Sequence, residues 1–353
     1  MENAIEISYK ALEENPDKRV FLLSQMIHNQ EVNKDLQDRG IRFIMDTDGT
    51  QFVPWEELRP DDIVIIPAFG TTLEIEHRLK NLGIEVQQYD TTCPFVEKVW
   101  KRSAKLGQED HTIIIHGKHN HEETRATFSH SASAAPSLII KNMDEAHLLG
   151  RVIRRELPKE EFYRIFEGKY SEGFDPDLHL NKVGVVNQTT MLATETQEIA
   201  DHIKQVMVDI HGEDYRGHFA DTRDTLCYAT NDNQDATYGL LKEEADLAIV
   251  VGGYNSSNTS HIVELCEQKF TTYFINSARE ILSPQEIRHF NYESGESVRS
   301  SGWLPDSEEV KIVLTSGASC PDTLVDEVML KILEYFPAAI SVEELFDQMD
   351  IQV

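Results

Sequence analysis

Short apolar runs rich in β-branched residues alternate along this chain with longer amphipathic segments. Such runs are typical of buried strands, and apolar positions three or four apart are typical of helices that pack on a sheet. The alternation predicts an α/β fold in which parallel sheets are covered by helices, repeated in several units. Predicted strands cover residues 20–23, 41–45, 63–67, 84–89, 112–116, 138–141, 183–187, 247–251, 272–275 and 310–315. Predicted helices cover residues 73–82, 94–106, 193–210, 260–269 and 322–335.

Two charged stretches interrupt this alternation. Residues 151–177 begin with several arginines and continue through Pro158 and Pro176. This pattern predicts a solvated helical face followed by a loop, together forming an insertion. The tail after Pro337 carries one short acidic helical pattern, residues 342–349, to which we assign no catalytic role.

Composition limits the possible functions. A chain of 353 residues with 40% hydrophobic and 27% charged residues predicts two or three globular units. The net charge of −29 argues against nucleic acid as a partner, because a phosphate backbone needs clustered Lys and Arg. A small anionic substrate needs only a local pocket and stays possible. The sequence contains neither a membrane-length apolar run nor a signal-peptide pattern, so we expect a cytoplasmic protein, or a plastid stroma protein in a plant-type source.

A polar turn follows the apolar strand of residues 247–251. Asn255, Ser256, Ser257 and Asn258 stand between this strand and a helix expected from about residue 259. Serine and asparagine are favoured as helix caps, so an ordinary capping turn explains part of the pattern. Free backbone N–H groups and the positive end of the helix dipole also make this position suitable for a phosphate group. Four such residues exceed the need of one cap, which favours ligand binding.

Three of the four cysteines occupy similar positions. Cys93, Cys227 and Cys320 each lie in a loop that precedes a predicted helix, whereas Cys266 lies within a helix and is expected to fill the core. At Cys93 the helix dipole would favour the thiolate. Each thiol alone is equally well explained as inert. Together they favour a thiolate-bound metal centre, iron–sulfur rather than structural zinc because the spacing is wide.

Histidine, glutamate and threonine side chains follow two further strands. His121 and Glu123 belong to a cluster after residues 112–116, which could bind a metal or an anion, transfer protons, or simply begin a helix. Thr189 follows residues 183–187, where a helix cap is the better single explanation. His28 also follows a strand, although a lone histidine is usually a surface or core residue.

Seven short motifs, taken in chain order, resemble the 4-hydroxy-3-methylbut-2-enyl diphosphate reductase family, which catalyses the last step of the non-mevalonate isoprenoid pathway. The resemblance extends from about residue 3 to residue 336. Residues 67–70 and 117–118 and the insertion near 151–181 are similar to the plant and cyanobacterial branch. The motifs occupy residues 27–29, 91–94, 121–124, 188–190, 227–230, 255–258 and 316–319.

This resemblance implies three α/β domains in a pseudo-threefold arrangement around a central [4Fe-4S] cluster. The implied domains cover residues 1–92, 93–222 and 223–338, followed by a tail of residues 339–353. Electrons would arrive singly from ferredoxin or flavodoxin, and the products would be isopentenyl and dimethylallyl diphosphates. The alternative is a non-catalytic diphosphate-binding relative that has lost its cluster.

The resemblance also implies a role for each matching residue. Cys93 and Cys227 match two cluster ligands, Glu123 matches the proton donor for the departing hydroxyl, and Thr189 matches the hydroxyl beside it. The remaining matches surround the diphosphate and the substrate. They are His28, His121, Ser256, Ser257, Asn258 and Ser319.

Two features differ from the family pattern. Phe69 stands where some members carry a histidine, which predicts that one diphosphate contact is lost or supplied elsewhere. The family's first cysteine lies in a Gly-Phe-Cys-x-Gly-Val segment, and this sequence begins only at the end of that segment. Either the sequence starts inside a longer reading frame, or Cys320 has become the third ligand. We expect the former, because loss of the first strand would leave a sheet edge unpaired.

Overall fold

The computed structural model of the protein describes residues 2–220, 227–307 and 309–339. Within them the helices are α1 Glu2–Glu14, α2 Gln30–Asp38, α3 Leu73–Asn81, α4 Pro94–Gln108, α5 Glu122–Ala132, α6 Met143–Ile153, α7 Lys159–Ile165, α8 Pro176–His179, α9 Ala193–His211, α10 Tyr228–Leu240, α11 Ser257–Glu267 and α12 Asp322–Leu333. The strands are β1 Val20–Leu22, β2 Arg42–Phe43, β3 Ile63–Ile65, β4 Thr112–His116, β5 Ser137–Ile140, β6 Val183–Asn187, β7 Phe219–Ala220, β8 Leu247–Val251, β9 Thr272–Ile275, β10 Ile281–Ser283, β11 Glu286–Asn291, β12 Glu296–Ser301 and β13 Ile312–Ser316.

The chain divides into two compact units, Met1–Gln234 and Asp235–Val353. The first unit contains two parallel sheets, with strand orders β2-β1-β3 and β5-β4-β6-β7. Alternate side chains of β1 enter different apolar clusters, since Val20 and Leu22 pack on one face and Phe21 packs on the other. Both faces of this sheet are therefore covered, as parallel sheets require.

The second unit combines two kinds of sheet. Its parallel sheet has the order β13-β8-β9, and β8 is buried along its whole length. A separate antiparallel sheet, β10-β11-β12, follows β9. Ile281, Ile287 and Trp303 from this region pack into the same apolar cluster as Leu247 of β8.

The predicted α/β fold class is confirmed, and β4, β6, β8 and β9 have the predicted bounds. The strand predicted at residues 84–89 is wrong. The backbone N–H of Ile84 instead donates a hydrogen bond to the carbonyl of Leu79 at the end of α3, and residues Gln87–Tyr89 form a 3₁₀ turn. The boundaries of the three implied domains stay predictions.

The loop predicted after the charged helix near residue 151 is partly wrong. Helices α7 and α8 lie in this region, because Pro158 caps the first and Pro176 occupies the first turn of the second. Proline is favoured in the first turn of a helix, as at Pro176, because the N–H that it lacks has no partner there. The helix predicted at residues 342–349 lies outside the described residues. Within the described part of the chain, no helix has the length and apolar character required to cross a membrane.

Candidate active site

The sequence-predicted site residues fall into two groups, one in each compact unit, and most of them follow the carboxyl ends of parallel strands. His28, Cys93, His121, Glu123, Thr189 and Cys227 belong to the first unit. Ser256, Ser257, Asn258 and Ser319 belong to the second unit. Loops at this edge of a parallel sheet are the usual place for ligand binding.

In the first unit, hydrogen bonds join the loops that follow β4 and β6. The two strands run in register to their last residues, where His116 pairs with Asn187. Beyond that pair, Oε1 of Gln188 accepts hydrogen bonds from the backbone N–H of Lys118 (3.2 Å) and from the hydroxyl of Thr124 (2.9 Å). The two loops are therefore held together before any ligand binds.

Glu123 lies in the first turn of α5 with only 1% of its surface exposed. Its Oε1 accepts a hydrogen bond from the backbone N–H of Thr189 (2.5 Å), whereas its Oε2 has no hydrogen-bond partner among the described residues. Burial raises the pKa of Glu123 to about 7, although hydrogen bonds from Thr189 act in the opposite direction. The carboxyl can therefore carry a proton near neutral pH and offer it from Oε2.

His121 caps the same helix. Its Nδ1 accepts the backbone N–H of Glu123 (3.2 Å), so the proton of the neutral ring lies on Nε2. That nitrogen is buried and has no hydrogen-bond partner in the described part of the chain. Burial, reinforced by the nearby His28, holds the pKa of His121 well below its usual range. His121 is therefore neutral and can donate a hydrogen bond to a ligand from Nε2.

Three aromatic rings pack together in the first unit. The ring of His28 lies 4.3 Å from that of Phe69 and 5.0 Å from that of His121, measured between centroids. Phe69 also contacts His121 edge-on at 5.6 Å. The phenylalanine therefore supplies an apolar surface against which both histidines are held.

A carboxylate and a serine that had no predicted role complete this group. Nε2 of His28 lies 3.3 Å from Oε1 of Glu122, and the hydroxyl of Ser24 donates a short hydrogen bond to Oε2 of Glu122. Nothing in the sequence marks Ser24, which follows β1 and is 98 positions from Glu122.

Cys93 and Cys227 lie close together in the first unit. Cys93 is the N-cap of α4, and Cys227 immediately precedes α10, whose Tyr228 ring lies 5.2 Å from that of Phe95. Burial raises the pKa of Cys93, the charge of Cys227 raises it further, and the N–H groups at the start of α4 lower it. The start of α4 thus favours the thiolate, as expected, but burial has the larger effect and the pKa of Cys93 is raised overall.

These two thiols fit part of an iron–sulfur ligand set. Thiolates are the usual ligands of such clusters, and binding the metal provides the energy to deprotonate them. Among the described residues, no group of three or more His, Cys, Asp or Glu side chains is arranged to hold a metal ion. The predicted core position of Cys266 is confirmed, since it is fully buried in an apolar cluster. Burial raises the pKa of Cys320, in the second unit, to about 12.

In the second unit, the polar turn after β8 serves partly as a helix cap. Helix α11 begins at Ser257, two residues before the predicted start, and Oγ of Ser256 accepts the backbone N–H of Thr259 (3.3 Å). The hydroxyl of Ser319 donates to the same oxygen (3.3 Å). Ser256 therefore has the capping role that any serine here could have.

The next two residues have polar atoms that the fold leaves without partners. Oδ1 of Asn258 accepts the backbone N–H of Ala318 (2.6 Å), which fixes the orientation of the amide. Its Nδ2 and the Oγ of Ser257 are buried and lack hydrogen-bond partners among the described residues. Both lie in the first turn of α11, where the helix dipole favours an anion.

Two glycines make close packing possible here. A Cβ atom at Gly252 would lie 2.6 Å from Oγ1 of Thr259, and one at Gly317 would lie 2.0 Å from the same atom. Because β8 and β13 are adjacent strands, both loops close on the first turn of α11. Any larger residue at either position would displace Thr259.

The chain is similar to a known protein family over nearly its whole length. A sequence model described as LytB protein matches residues 1–333. The chain is 38% identical to 4-hydroxy-3-methylbut-2-enyl diphosphate reductase of Microcystis aeruginosa, over 95% of this chain and 81% of that protein. The Trichodesmium erythraeum protein of the same name is 39% identical, over 94% and 81%. A relative named as chloroplastic, from Botryococcus braunii, is 39% identical over 93% of this chain and 66% of that protein.

Solved structures share the fold. The structure of E-1-hydroxy-2-methyl-but-2-enyl-4-diphosphate reductase from Plasmodium falciparum has a TM-score of 0.67 and 22% identity, covering 95% of this chain and 84% of that one. A structure of (E)-4-hydroxy-3-methyl-but-2-enyl diphosphate reductase, described as the terminal enzyme of the non-mevalonate pathway, has a TM-score of 0.55 and 24% identity, covering 94% of this chain and 93% of that one. The resemblance inferred from the motifs is thus confirmed, and the chain belongs to the LytB family of 4-hydroxy-3-methylbut-2-enyl diphosphate reductases.

Proposed function

We propose that this protein reduces 4-hydroxy-3-methylbut-2-enyl diphosphate to isopentenyl and dimethylallyl diphosphates. In this reaction the substrate takes up two electrons and its C–O bond breaks. One proton joins the departing hydroxyl to form water, and a second proton is added to carbon. The observation that carries the proposal is the buried Glu123 carboxyl, which has a pKa of about 7 and an unpartnered oxygen. A protein that only binds diphosphate has no need of such an acid.

Glu123 is the proposed proton donor to the departing hydroxyl. Its Oε1 is occupied by Thr189, so the proton is held at Oε2. Thr189 fixes the carboxyl in place, and its hydroxyl is the proposed neighbour of the reacting oxygen. A carboxylic acid with a pKa near the working pH is efficient because it is protonated and still releases its proton readily.

Cys93 and Cys227 are the residues proposed to hold a [4Fe-4S] cluster. When bound, the cluster supplies electrons one at a time from ferredoxin or flavodoxin. Cys320 is the candidate for a third ligand. The proposed compartment is the cytoplasm, or the plastid stroma in a plant-type source.

Hydrogen-bond donors in each unit are proposed to bind the substrate. In the first unit these are His28 and His121, and the latter presents a neutral Nε2–H. In the second unit Ser256, Ser257, Asn258 and Ser319 would bind phosphoryl oxygens. A helix N-terminus with free hydroxyl and amide donors recognises phosphate without a lysine or arginine.

Anaerobic turnover tests this proposal. The protein would be purified without oxygen, supplied with iron and sulfide, and mixed with the substrate and reduced methyl viologen. We expect both isoprenoid diphosphates as products, and none when the reductant is omitted. Iron-loaded protein that binds pyrophosphate but forms neither product would instead favour the non-catalytic diphosphate-binding alternative.

A further inference from the structure

Three polar side chains in the first unit, Ser24, Glu122 and His28, are joined in a row by polar contacts. The hydroxyl of Ser24 donates to Oε2 of Glu122, and Oε1 of Glu122 lies 3.3 Å from Nε2 of His28. All three residues are buried, with 8% or less of their surface exposed. Because a carboxylate only accepts hydrogen bonds, Nε2 of His28 is the donor in this contact and carries a proton.

The presence of Glu122 requires an explanation. A buried carboxylate loses much of its hydration, and its negative charge repels an anion bound nearby. Glu122 is adjacent to Glu123 and contacts His28, a proposed ligand of a diphosphate. On charge alone, Glu122 should weaken the binding of this substrate.

The surroundings of Glu122 show how its charge is accommodated. Ser24, Thr71, Arg125 and Glu122 line a cavity of about 530 Å³ in the first unit. The Arg125 guanidinium donates to the backbone carbonyls of Thr47 (2.5 Å) and Asp48 (2.9 Å). Glu122 therefore interacts with a hydroxyl and an imidazole, and it shares the cavity lining with the Arg125 side chain.

We propose that Glu122 is a positioning residue for His28 and so contributes to substrate affinity. Glu122 restrains the edge of the imidazole, and Phe69 restrains its face at a centroid distance of 4.3 Å. Together they fix both the orientation and the tautomer of the ring. The role in affinity rests on the proposed function, but the orientation of the ring does not.

Steady-state kinetics distinguish positioning from charge repulsion. Glu122→Ala removes both hydrogen bonds, and we expect KM for the substrate to rise about tenfold while kcat stays within about twofold of wild type. Glu122→Gln keeps an acceptor for His28 and can still bond Ser24, so KM should stay within about twofold. An unchanged or lower KM in Glu122→Ala would show that repulsion dominates and would overturn the proposal.

The tautomer of His28 provides a test that does not depend on turnover. Nitrogen NMR of ¹⁵N-histidine-labelled protein, with His28→Gln to assign the signal, should show a single Nε2–H form in wild type and in Glu122→Gln. Glu122→Ala should show both tautomers. The same single form in Glu122→Ala would contradict the positioning role even if the proposed reaction were correct.

A matched control guards against general effects of losing a glutamate. Nε2 of His130 lies 3.5 Å from Oε1 of Glu76, a second Glu–His pair in the first unit with no proposed ligand. Glu76→Ala should leave KM and the His28 signal unchanged. If Glu122→Ala lowered the urea midpoint and iron content while KM stayed at the wild-type value, its role would be structural only, and the proposal would fail.

Discussion

The backbone N–H of Thr189 donates a hydrogen bond to Oε1 of Glu123, although the two residues are 66 positions apart in the sequence. Thr189 follows β6 and Glu123 lies in the first turn of α5, which follows β4. The parallel pairing of β4 with β6 brings them together. Oε1 of Glu123 is thereby fixed, and Oε2 stays available to transfer a proton.

Replacing Glu123 with glutamine should remove most of the activity. We expect Glu123→Gln to lower kcat by about 10²–10⁴-fold, because the amide keeps the shape of the side chain but cannot deliver a proton. Pyrophosphate binding and iron content should match wild type. The measurement is single-turnover product formation with excess reductant, and near-normal turnover would remove Glu123 from the mechanism.

Activity should decrease as the pH rises through about 7. The proposed acid works in its protonated form, and the pKa of Glu123 is about 7 because of burial. We therefore expect kcat to be level at lower pH and to fall about tenfold per pH unit well above 7. A profile measured with a non-titrating reductant checks this, and kcat that stays constant to pH 9 would contradict it.

The same carboxyl should make stability depend on pH. Its pKa is raised in the folded state, so its contribution is fully present below the unfolded value of 4.5 and is lost as the pH rises to about 7. A shift of this size corresponds to about 3 kcal/mol. Urea unfolding of metal-free wild type and Glu123→Gln at pH 4.5 and pH 8 should show the variant gaining about that much relative stability at the higher pH. A difference between the two proteins that does not change with pH would count against this interpretation.

Ser257 offers a cleaner test of phosphate binding than Ser256, whose loss would also remove a helix cap. We expect Ser257→Ala to weaken pyrophosphate binding by about 1.5–3 kcal/mol, the cost of losing a hydrogen bond to a charged group. Ser260 is the matched control, because its hydroxyl is already bonded to the carbonyl of Ser256 (3.0 Å). Isothermal titration calorimetry measures the pyrophosphate affinity of both alanine variants. Equal affinities would show that Ser257 has only a structural role.

The cysteine variants should divide into two classes. Cys93→Ser and Cys227→Ser should lower the iron and sulfide content after reconstitution, because each removes a proposed thiolate ligand. Cys266→Ser is the control, since this thiol is buried in the core of the second unit. Cys320→Ala tests whether Cys320 is also a ligand. It is one if this variant loses the cluster absorption, as Cys93→Ser and Cys227→Ser should, while Cys266→Ser keeps it. Retention of full iron content by Cys93→Ser would contradict the proposed cluster site.

Much of the fold follows from local pattern. Strands such as β8 are continuous apolar runs that are buried on both faces, so their bounds could be predicted from sequence. The antiparallel strands could not, because β12 is mostly exposed and consists of polar and charged residues except Val298. The helix α1 was also missed, since its apolar positions are separated by many charged residues.

The site shows the same division. The turn around Ser257 was predictable because neighbouring polar residues are concentrated at one strand end. The interaction of Ser24 with Glu122 was not, because it joins residues 98 positions apart through the packing of two sheets. The effect of burial on the pKa of Cys93 could not be predicted either, since burial cannot be judged from the residues beside it.

The contact of Thr259 with Gly252 and Gly317 has a consequence for recognition. It ties two strand-end loops to the first turn of α11, and the hydrogen bond from Ala318 to Asn258 adds to this link. The donors of the turn are therefore ordered by folding itself, before a ligand arrives. An anion that binds there loses little protein conformational entropy, so even a few hydrogen bonds translate into useful affinity.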